Sequence, residues 1–560
     1  MKTNRRNFFH TITAGAAGLG LTAASPIPNF IDNNPSHEAS DEQVLFIGDD
    51  IAIAKTVYGK VQGFKLRDIF QFRGIPYGAD TSGKNRFMPP QKPEPWTDTK
   101  PALWWGNTAP QQMENRYANA HYSFADHWNY DDVSEDCLKL NVWTPAIADG
   151  KKRPVLVWLH GGGYRNGNGI EQDGYDGENF SRKGDVVFVS INHRLGPIGF
   201  TDLSAVGGEK FKNSGNVGAL DMVAALEWVK ENIENFGGDP GNVTIMGQSG
   251  GGAKVCILGA MPQTKGLFHK MVPLSGSTTQ AIDQSYSKQL GEYVLREAGL
   301  SPAEMHKLQE MPWQRYLEVA YKAEAKLREE TGGGGMFRGG YGPVADGVNL
   351  PKEIFFSDKI GTASDVPMLI CSTFHEWGMS RTSLEMENIT EEKAIVFLKE
   401  RAGFMGGLGE KAPEVYQAYA SIFPDAKPIE IMTLVSSNRN GVVNTANAKL
   451  QQNAPVYVAW FGWEPNLYNG RMRAFHCLDI CFWFNNTDLM FTHTGGGPRP
   501  RKLADKMSSS LIQFMKTGNP NGGGLPEWDK YTAKEGEVMV LNDECELMND
   551  PDREARSALQ

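Results

Sequence analysis

A serine flanked by glycines, directly after an apolar run, constrains this chain more than any other feature. The motif is G-Q-S-G-G at residues 247–251, and it follows V-T-I-M at residues 243–246. A strand that turns sharply into a helix needs small residues on both sides of the turn, and it leaves the serine hydroxyl exposed above the sheet. Because glycine makes up 62 of the 560 residues, the five-residue pattern also arises by chance. Whether Ser249 is a nucleophile therefore depends on what surrounds it in the chain.

Apolar runs of strand length alternate with helical patterns along the chain. Residues 220–236 have the spacing of an amphipathic helix, and the middle of the chain, residues 281–365, reads as a helical and then glycine-rich insertion. Near-continuous apolar strands separated by helices predict an α/β fold with a mostly parallel central sheet covered by helices on both faces. The predicted strands are residues 154–159, 185–190, 243–246, 366–370 and 456–461.

The first 43 residues have the composition of a leader. An arginine pair at residues 5–6 precedes an uncharged stretch that runs to residue 24, as in a secretory signal of the twin-arginine type. The stretch is too short and too rich in glycine for a membrane span. We predict a signal peptide over residues 1–24, a disordered leader over 25–43 and a single domain over 44–550. The protein is then exported, to the periplasm or the outside of a bacterial cell.

Charge and cysteine content argue against two classes of partner. The chain has 56 Lys and Arg against 66 Asp and Glu, without a basic block, which argues against binding of nucleic acid. No C-x-x-C pair occurs among the six cysteines, which argues against a zinc site. Cys477 and Cys481 are four residues apart, and we predict two buried thiols there rather than a disulfide.

Chain order selects the partners of the serine. In a hydrolase with this type of turn, the acid follows the serine and the histidine follows the acid. The acid belongs just beyond a late strand, because the carboxyl edge of an open α/β sheet carries the chemistry. Glu376 follows the predicted strand at 366–370, and His476 follows the strand at 456–461. We therefore predict Ser249, Glu376 and His476 as a catalytic triad.

Other residues compete for two of these roles. His493 also follows the last of these strands but lies further from it, beside a glycine loop. His375 precedes that strand, so its order is wrong, and Asp365 precedes its own strand and is expected at the opposite edge of the sheet. A histidine taken alone is more often a core residue, so the case for His476 rests on its place in the order.

A glycine-rich turn predicts the oxyanion donors. The motif H-G-G-G-Y at residues 160–164 follows the strand at 154–159. Glycines let the backbone approach a substrate closely and point N–H groups at it, and a motif of this type supplies such donors in lipases and esterases. We predict that Gly162, Gly163 and Gly250 donate to the developing oxyanion. The alternative is an ordinary glycine-rich turn.

Several further segments make the chain resemble the type-B carboxylesterase and cholinesterase family, over roughly residues 45–545. The resemblance implies an α/β-hydrolase fold whose helical and glycine-rich insertions form a substrate gorge. It also implies Ser249, Glu376 and His476 as the triad. The segments are F-R-G-I-P-Y at 72–77, S-E-D-C-L-K-L-N-V-W-T-P at 134–145, N-H-R-L-G-P-I-G-F at 192–200, N-F-G-G-D-P at 235–240 and T-G-N-P-N at 517–521.

The chain departs from the family pattern at three positions. Gln248 stands where the family usually has Glu, and the loss of a carboxylate beside the site argues against a cationic, choline-like substrate. Gly250 replaces the usual Ala. The partner of Cys137 in the family's first disulfide would lie near Ala109 and is absent, so we expect Cys137 to be a free thiol.

The sequence thus predicts an exported serine esterase that hydrolyses neutral carboxylic esters through an acyl-enzyme, without a metal or an organic cofactor. Its expected partner is a small-molecule ester, with no nucleic acid and no stable membrane insertion. The oligomeric state stays open. Alternatives are a serine hydrolase of amides, carbamates or thioesters, and a non-catalytic binding module of the cholinesterase type. The aromatic residues expected to line the entrance to the site, or to pack its loop, are Tyr117, Tyr122, Phe124, Trp128 and Tyr130.

Overall fold

The computed structural model describes residues 43–112, 132–331, 339–376, 380, 383–401 and 406–559. The predicted signal peptide, nearly all of the predicted leader, the five aromatic residues of the entrance and the glycine run at 332–335 lie outside these residues, so those interpretations stay predictions.

Strands of very different length make up the sheets of the described residues. They are β1 (Leu45–Phe46), β2 (Ile53–Thr56), β3 (Gly59–Gln62), β4 (Phe64–Leu66), β5 (Ile69–Pro76), β6 (Lys100–Pro101), β7 (Lys139–Thr144), β8 (Arg153–Leu159), β9 (Val187–Ile191), β10 (Gly238–Gln248), β11 (Lys270–Leu274), β12 (Ile282–Asp283), β13 (Val344–Ala345), β14 (Met368–Thr373), β15 (Val456–Phe461), β16 (Glu537–Leu541) and β17 (Glu546–Asn549).

One sheet of twelve strands forms the centre of the fold. Its order is β1-β4-β5-β7-β9-β8-β10-β11-β14-β15-β16-β17. The strands from β9 to β16 in this order pair in parallel, and antiparallel pairs occur only towards the two edges. Since parallel strands end at the same edge, the segments that follow β8, β10, β14 and β15 are brought together there.

Helices connect these strands and cover the sheet. They are α1 (Glu178–Gly184), α2 (Gly196–Phe200), α3 (Ser204–Gly207), α4 (Val217–Asn232), α5 (Gly250–Ala260), α6 (Gln284–Glu297), α7 (His306–Glu310), α8 (Trp313–Thr331), α9 (Leu384–Glu387), α10 (Glu391–Glu400), α11 (Ala412–Ile422), α12 (Pro428–Val435), α13 (Arg439–Lys449), α14 (Ile480–Trp483), α15 (Phe491–Thr494), α16 (Pro498–Thr517) and α17 (Arg553–Ser557).

Two hydrophobic cores lie on the two sides of the sheet. Along β8, Val155, Val157 and Leu159 belong to one buried cluster, whereas Leu156 and Trp158 belong to the other. Successive side chains of a strand point to opposite faces, so both faces are buried. The predicted architecture, an α/β-hydrolase fold with a mostly parallel sheet between layers of helices, is confirmed.

Element boundaries differ from the predictions by a few residues. The strand predicted at 456–461 coincides with β15, whereas β14 begins two residues later than predicted, after Pro367, and runs on to Thr373. The helix predicted at 220–236 divides into α4 and a 3₁₀ turn, Ile233–Phe236. Helix α17 lies beyond residue 550, the predicted end of the domain. Among the described residues, no helix is long and apolar enough to cross a membrane.

Candidate active site

Ser249 lies in a strained turn between β10 and α5. Its backbone has φ 57° and ψ −122°, a region that residues with a side chain rarely adopt. Its N–H donates to the carbonyl of Leu274 at 2.8 Å. A methyl group on Gly251 would lie 2.0 Å from the carbonyl oxygen of Leu159, and one on Gly247 would lie 2.7 Å from the same atom. Both flanking glycines are therefore required for this turn to lie against the end of β8.

The glycine-rich turn after β8 lies beside the serine. β8 and β10 are neighbours, with Leu159 opposite Gly247, so the H-G-G-G motif begins next to the turn that carries Ser249. A methyl group on Gly250 would lie 2.4 Å from the backbone nitrogen of Gly163, which places two of the predicted donors in contact. Gly162 has φ 82°, a left-handed conformation that glycine adopts without strain. The structure thus brings Gly163 and Gly250 together, and Gly162 lies next to Gly163 in the glycine-rich turn.

Glu376 and His476 meet at the same edge of the sheet. Glu376 lies three residues after β14 and is 1% exposed. One of its carboxylate oxygens contacts Nδ1 of His476, and the other accepts the N–H of Thr373 at 3.2 Å. The backbone N–H of His476 also donates to the carbonyl of Glu376 at 2.7 Å. With Nδ1 donating to the carboxylate, Nε2 is left as the basic nitrogen.

Gln248 joins the serine turn to the histidine. Its side chain is fully buried, and Nε2 lies 3.3 Å from each ring nitrogen of His476. Its Oε1 accepts a hydrogen bond from the Cys477 thiol at 3.1 Å. The residue before the predicted nucleophile therefore contacts the predicted base with a neutral amide. The sequence singled out Gln248 for its missing charge but gave no sign of this contact.

A second acid lies behind the histidine. Asp479 is fully buried, and Nε1 of Trp483 donates to it at 3.2 Å. Burial raises the pKa of Asp479 to about 7, and the nearby Glu376 carboxylate adds to the shift. Asp479 therefore does not carry its full charge at neutral pH, and Glu376 is the acid that contacts the imidazole.

The competing residues have other surroundings. The His375 ring contacts the Thr433 hydroxyl at 2.9 Å and Glu464 at 3.3 Å. His493 is buried against the ring of Phe475, at 5.2 Å between centroids. Asp365 lies before β14, as expected from its place in the chain, and accepts from Asn453 at 3.3 Å.

No disulfide joins any of the six cysteines, all of which are described, and Cys137 is a free thiol as predicted. Burial raises the pKa of the Cys137 thiol well above its usual range. The prediction of two buried thiols at 477 and 481 is wrong for Cys477, which is partly exposed. It precedes α14 and has φ 75°, because the chain turns here to present His476, so the two cysteines do not share a helix face.

Lys254 is a buried residue of the site region that was not predicted from the sequence. It is the fifth residue of α5, and its ammonium donates to the carbonyl of His160, the first residue of the glycine-rich turn. The feature of the sequence that could have indicated this residue is its position as a single charge next to the apolar run at 255–258. In the described part of the chain, no group of three or more His, Cys, Asp and Glu side chains is arranged to hold a metal ion.

Comparison with known proteins places this geometry in a family. The model of the carboxylesterase family matches residues 50–559. Among curated proteins, the para-nitrobenzyl esterase of Bacillus subtilis (strain 168) is 34% identical over 515 residues, which cover 90% of this chain and 98% of the relative.

Solved structures agree with this assignment. An esterase of Clostridium hathewayi, described as able to hydrolyse aliphatic aromatic polyesters, has a TM-score of 0.77 at 31% identity and covers 92% of this chain and 98% of its own. A carboxylesterase of Geobacillus stearothermophilus has a TM-score of 0.74 at 33% identity, with coverage of 91% and 100%.

Proposed function

The chain belongs to the carboxylesterase family, and from this we propose that it hydrolyses neutral carboxylic esters through an acyl-enzyme on Ser249. Membership makes it a carboxylic ester hydrolase. The observation that carries the finer proposal is the contact between Glu376 and His476 at the edge of the sheet where Ser249 is held in its strained turn.

The proposed reaction proceeds in two halves. The Ser249 hydroxyl attacks the ester carbonyl while Nε2 of His476 takes its proton, and the same proton then passes to the departing alkoxide, which leaves as the alcohol. Water attacks the resulting acyl-serine and gives a proton to His476, which passes it to the Ser249 oxygen as the bond to the acyl group breaks and the carboxylic acid departs. Glu376 holds the ring in the required tautomer and stabilises its charged form.

Backbone N–H groups stabilise the tetrahedral intermediates in this proposal. Gly163 and Gly250 lie in contact beside Ser249, with Gly162 in the same turn. The N–H of Gly250 also belongs to the first turn of α5, where the positive end of the helix dipole favours negative charge. One such donor contributes about 10²–10³-fold to kcat in other serine hydrolases.

The surroundings of the histidine support a neutral substrate. Gln248 places an uncharged amide against His476, and Asp479 is held partly protonated. A cationic alcohol group gains little attraction from such a site. The names of the relatives, a para-nitrobenzyl esterase and an esterase of aliphatic aromatic polyesters, describe esters and support the same class here.

Export is the second part of the proposal. It rests on the arginine pair at residues 5–6 and the uncharged stretch that follows. Expression in a bacterial host with and without a working twin-arginine translocase tests it. We expect a shortened, active enzyme in the periplasmic or extracellular fraction only when the translocase works, and the same distribution in both hosts would contradict export by this route.

Steady-state kinetics of Ser249→Ala on p-nitrophenyl esters of increasing acyl length test the catalytic part. Loss of the triad serine lowers kcat by on the order of 10⁶-fold. Ser508→Ala, at a buried serine of α16, is the matched control and should keep full activity. A Ser249→Ala variant that retains a tenth of the wild-type kcat would overturn the assignment. Matched amide, carbamate and thioester substrates in the same assay distinguish the related hydrolase activities.

A further inference from the structure

A charged side chain lies fully buried directly behind the glycine-rich turn. Lys254 has no exposed surface, and its Nζ donates to the carbonyl oxygen of His160 at 2.9 Å. The side chain leaves α5 five residues after Ser249 and reaches the end of β8, so it joins the helix of the nucleophile to the turn of the oxyanion donors.

Burial of this lysine is unfavourable by itself. Taking an ammonium group out of water disfavours its charged form, and burial lowers the pKa of Lys254 to about 7. An apolar side chain of similar length fills such a position with no desolvation penalty. A lysine here therefore lowers the stability of the fold relative to a methionine at the same position. The compensating benefit must come from the groups that its ammonium contacts.

The groups around the ammonium are themselves buried. The carboxylate of Glu171 opposes the shift caused by burial, and this carboxylate accepts a hydrogen bond from the Tyr175 hydroxyl at 2.9 Å. The ring of His160 stacks on that of His193, at 5.1 Å between centroids. Burial, together with the Lys254 charge, lowers the pKa of His193 well below its usual range, so that ring is neutral.

The contact at His160 bears on the residues that follow it. The His160 carbonyl belongs to the same rigid peptide plane as the N–H of Gly161. The next two residues, Gly162 and Gly163, have φ 82° and 66° and no side chains to hold them in place. In a run of glycines, the orientation of the first peptide plane has a large effect on where the later N–H groups point.

We propose that Lys254 is a positioning residue for the oxyanion turn. Its Nζ holds the His160 carbonyl and thereby keeps the N–H groups of Gly162 and Gly163 directed at the substrate oxygen on Ser249. The inference rests on the proposed function, because it assumes the acyl-enzyme at Ser249. Lys254 touches no reacting atom and acts through the turn alone.

The chain offers a matched control. Lys449, on α13, is also buried, and its Nζ donates to a backbone carbonyl, that of Ala363, at 2.6 Å. Burial lowers the pKa of Lys449 to about 7 as well. It has no contact with the turn or with α5 among its hydrogen bonds, so Lys449→Met reproduces the loss of a buried ammonium away from the site.

The test compares Lys254→Met and Lys449→Met with wild type on one p-nitrophenyl ester. Misplacing catalytic groups by about 1 Å costs about 10²-fold in rate, so we expect kcat of Lys254→Met to fall about 30- to 100-fold, with KM changed less than about 3-fold. Binding of a trifluoromethyl ketone, which forms an oxyanion on the serine, should weaken by a similar factor. Lys449→Met should keep the wild-type kcat and inhibitor affinity.

Lys254→Gln is a second variant for the case that Lys254→Met does not fold. It keeps an N–H donor without the charge, and we expect a smaller loss of kcat than in Lys254→Met. A kcat within about 2-fold of wild type in folded Lys254→Met, or equal losses in the two methionine variants, would overturn the inference. Fluorophosphonate labelling separates it from the proposed function. If wild type is labelled at Ser249 while Lys254→Met turns over normally, only the positioning role fails; if wild type is not labelled, the proposed function fails.

Discussion

Gly250→Ala is the substitution for which the structure makes its sharpest prediction. The added methyl group would lie 2.2 Å from the carbonyl oxygen of Gly163 and 2.4 Å from its nitrogen and Cα. All three are backbone atoms, so no flexible side chain can move aside. Alanine is the residue that the family usually carries here, which makes the test specific to the turn of this chain.

The size of the effect follows from the overlap. Non-bonded heavy atoms reach their best separation at about 3.5 Å, so the turn at Gly163 must retreat by about 1 Å to admit the methyl group. A shift of that size at the reacting centre costs about 10²-fold in rate, or about 2.7 kcal/mol of activation free energy. Because oxyanion donors act mainly on the charge that develops in the transition state, KM should change by less than about 3-fold.

Steady-state kinetics on a p-nitrophenyl ester measure this loss, with thermal denaturation to show that the variant folds. Gly361→Ala is the control, because a methyl group there meets nothing within 4 Å, and its kcat should equal that of wild type. If folded Gly250→Ala retains more than half of the wild-type kcat, the reasoning from the contact between Gly163 and Gly250 is refuted.

Three further predictions concern charge and thiols. Gln248→Glu places a carboxylate against His476 and stabilises the imidazolium, so the acid limb of the kcat/KM profile should move up by about one pH unit, and a profile superimposable on wild type contradicts this. Because the pKa of Lys449 is lowered in the folded protein, the unfolded chain binds one more proton than the folded protein does above pH 7. Wild type should therefore gain about 1.4 kcal/mol of unfolding free energy per pH unit relative to Lys449→Met between pH 7 and 9. Denaturant titrations measure this gain, and a difference in unfolding free energy that does not change with pH would contradict it. Native protein should expose at most two thiols to Ellman's reagent, Cys477 and Cys545, because the others are buried, and rapid reaction of Cys137 would show a different packing.

The parts of the site that the sequence predicted depend on local pattern and chain order. The strained turn at Ser249 needs its neighbouring glycines, and those glycines are visible in the sequence. Glu376 and His476 meet because two parallel strands end at one edge, so knowing which segment follows which strand was sufficient.

The parts that the sequence did not predict depend on distant residues meeting in space. Gln248 contacts His476, which is 228 residues away in the chain, and Lys254 contacts His160, 94 residues before it. Neither spacing leaves a periodic signal. Cys477 was predicted to be buried, but the chain turns at this residue to present His476, and the thiol is left partly exposed.

The central claim is that the acyl group is carried by Ser249, and trapping that intermediate tests it most directly. Wild-type enzyme turning over a p-nitrophenyl ester is quenched in acid, digested and mapped by mass spectrometry. The account predicts the acyl mass on the peptide that contains residues 247–251, at Ser249, and its absence from Ser249→Ala. Acylation at another residue, or turnover by Ser249→Ala at the wild-type rate, would contradict it.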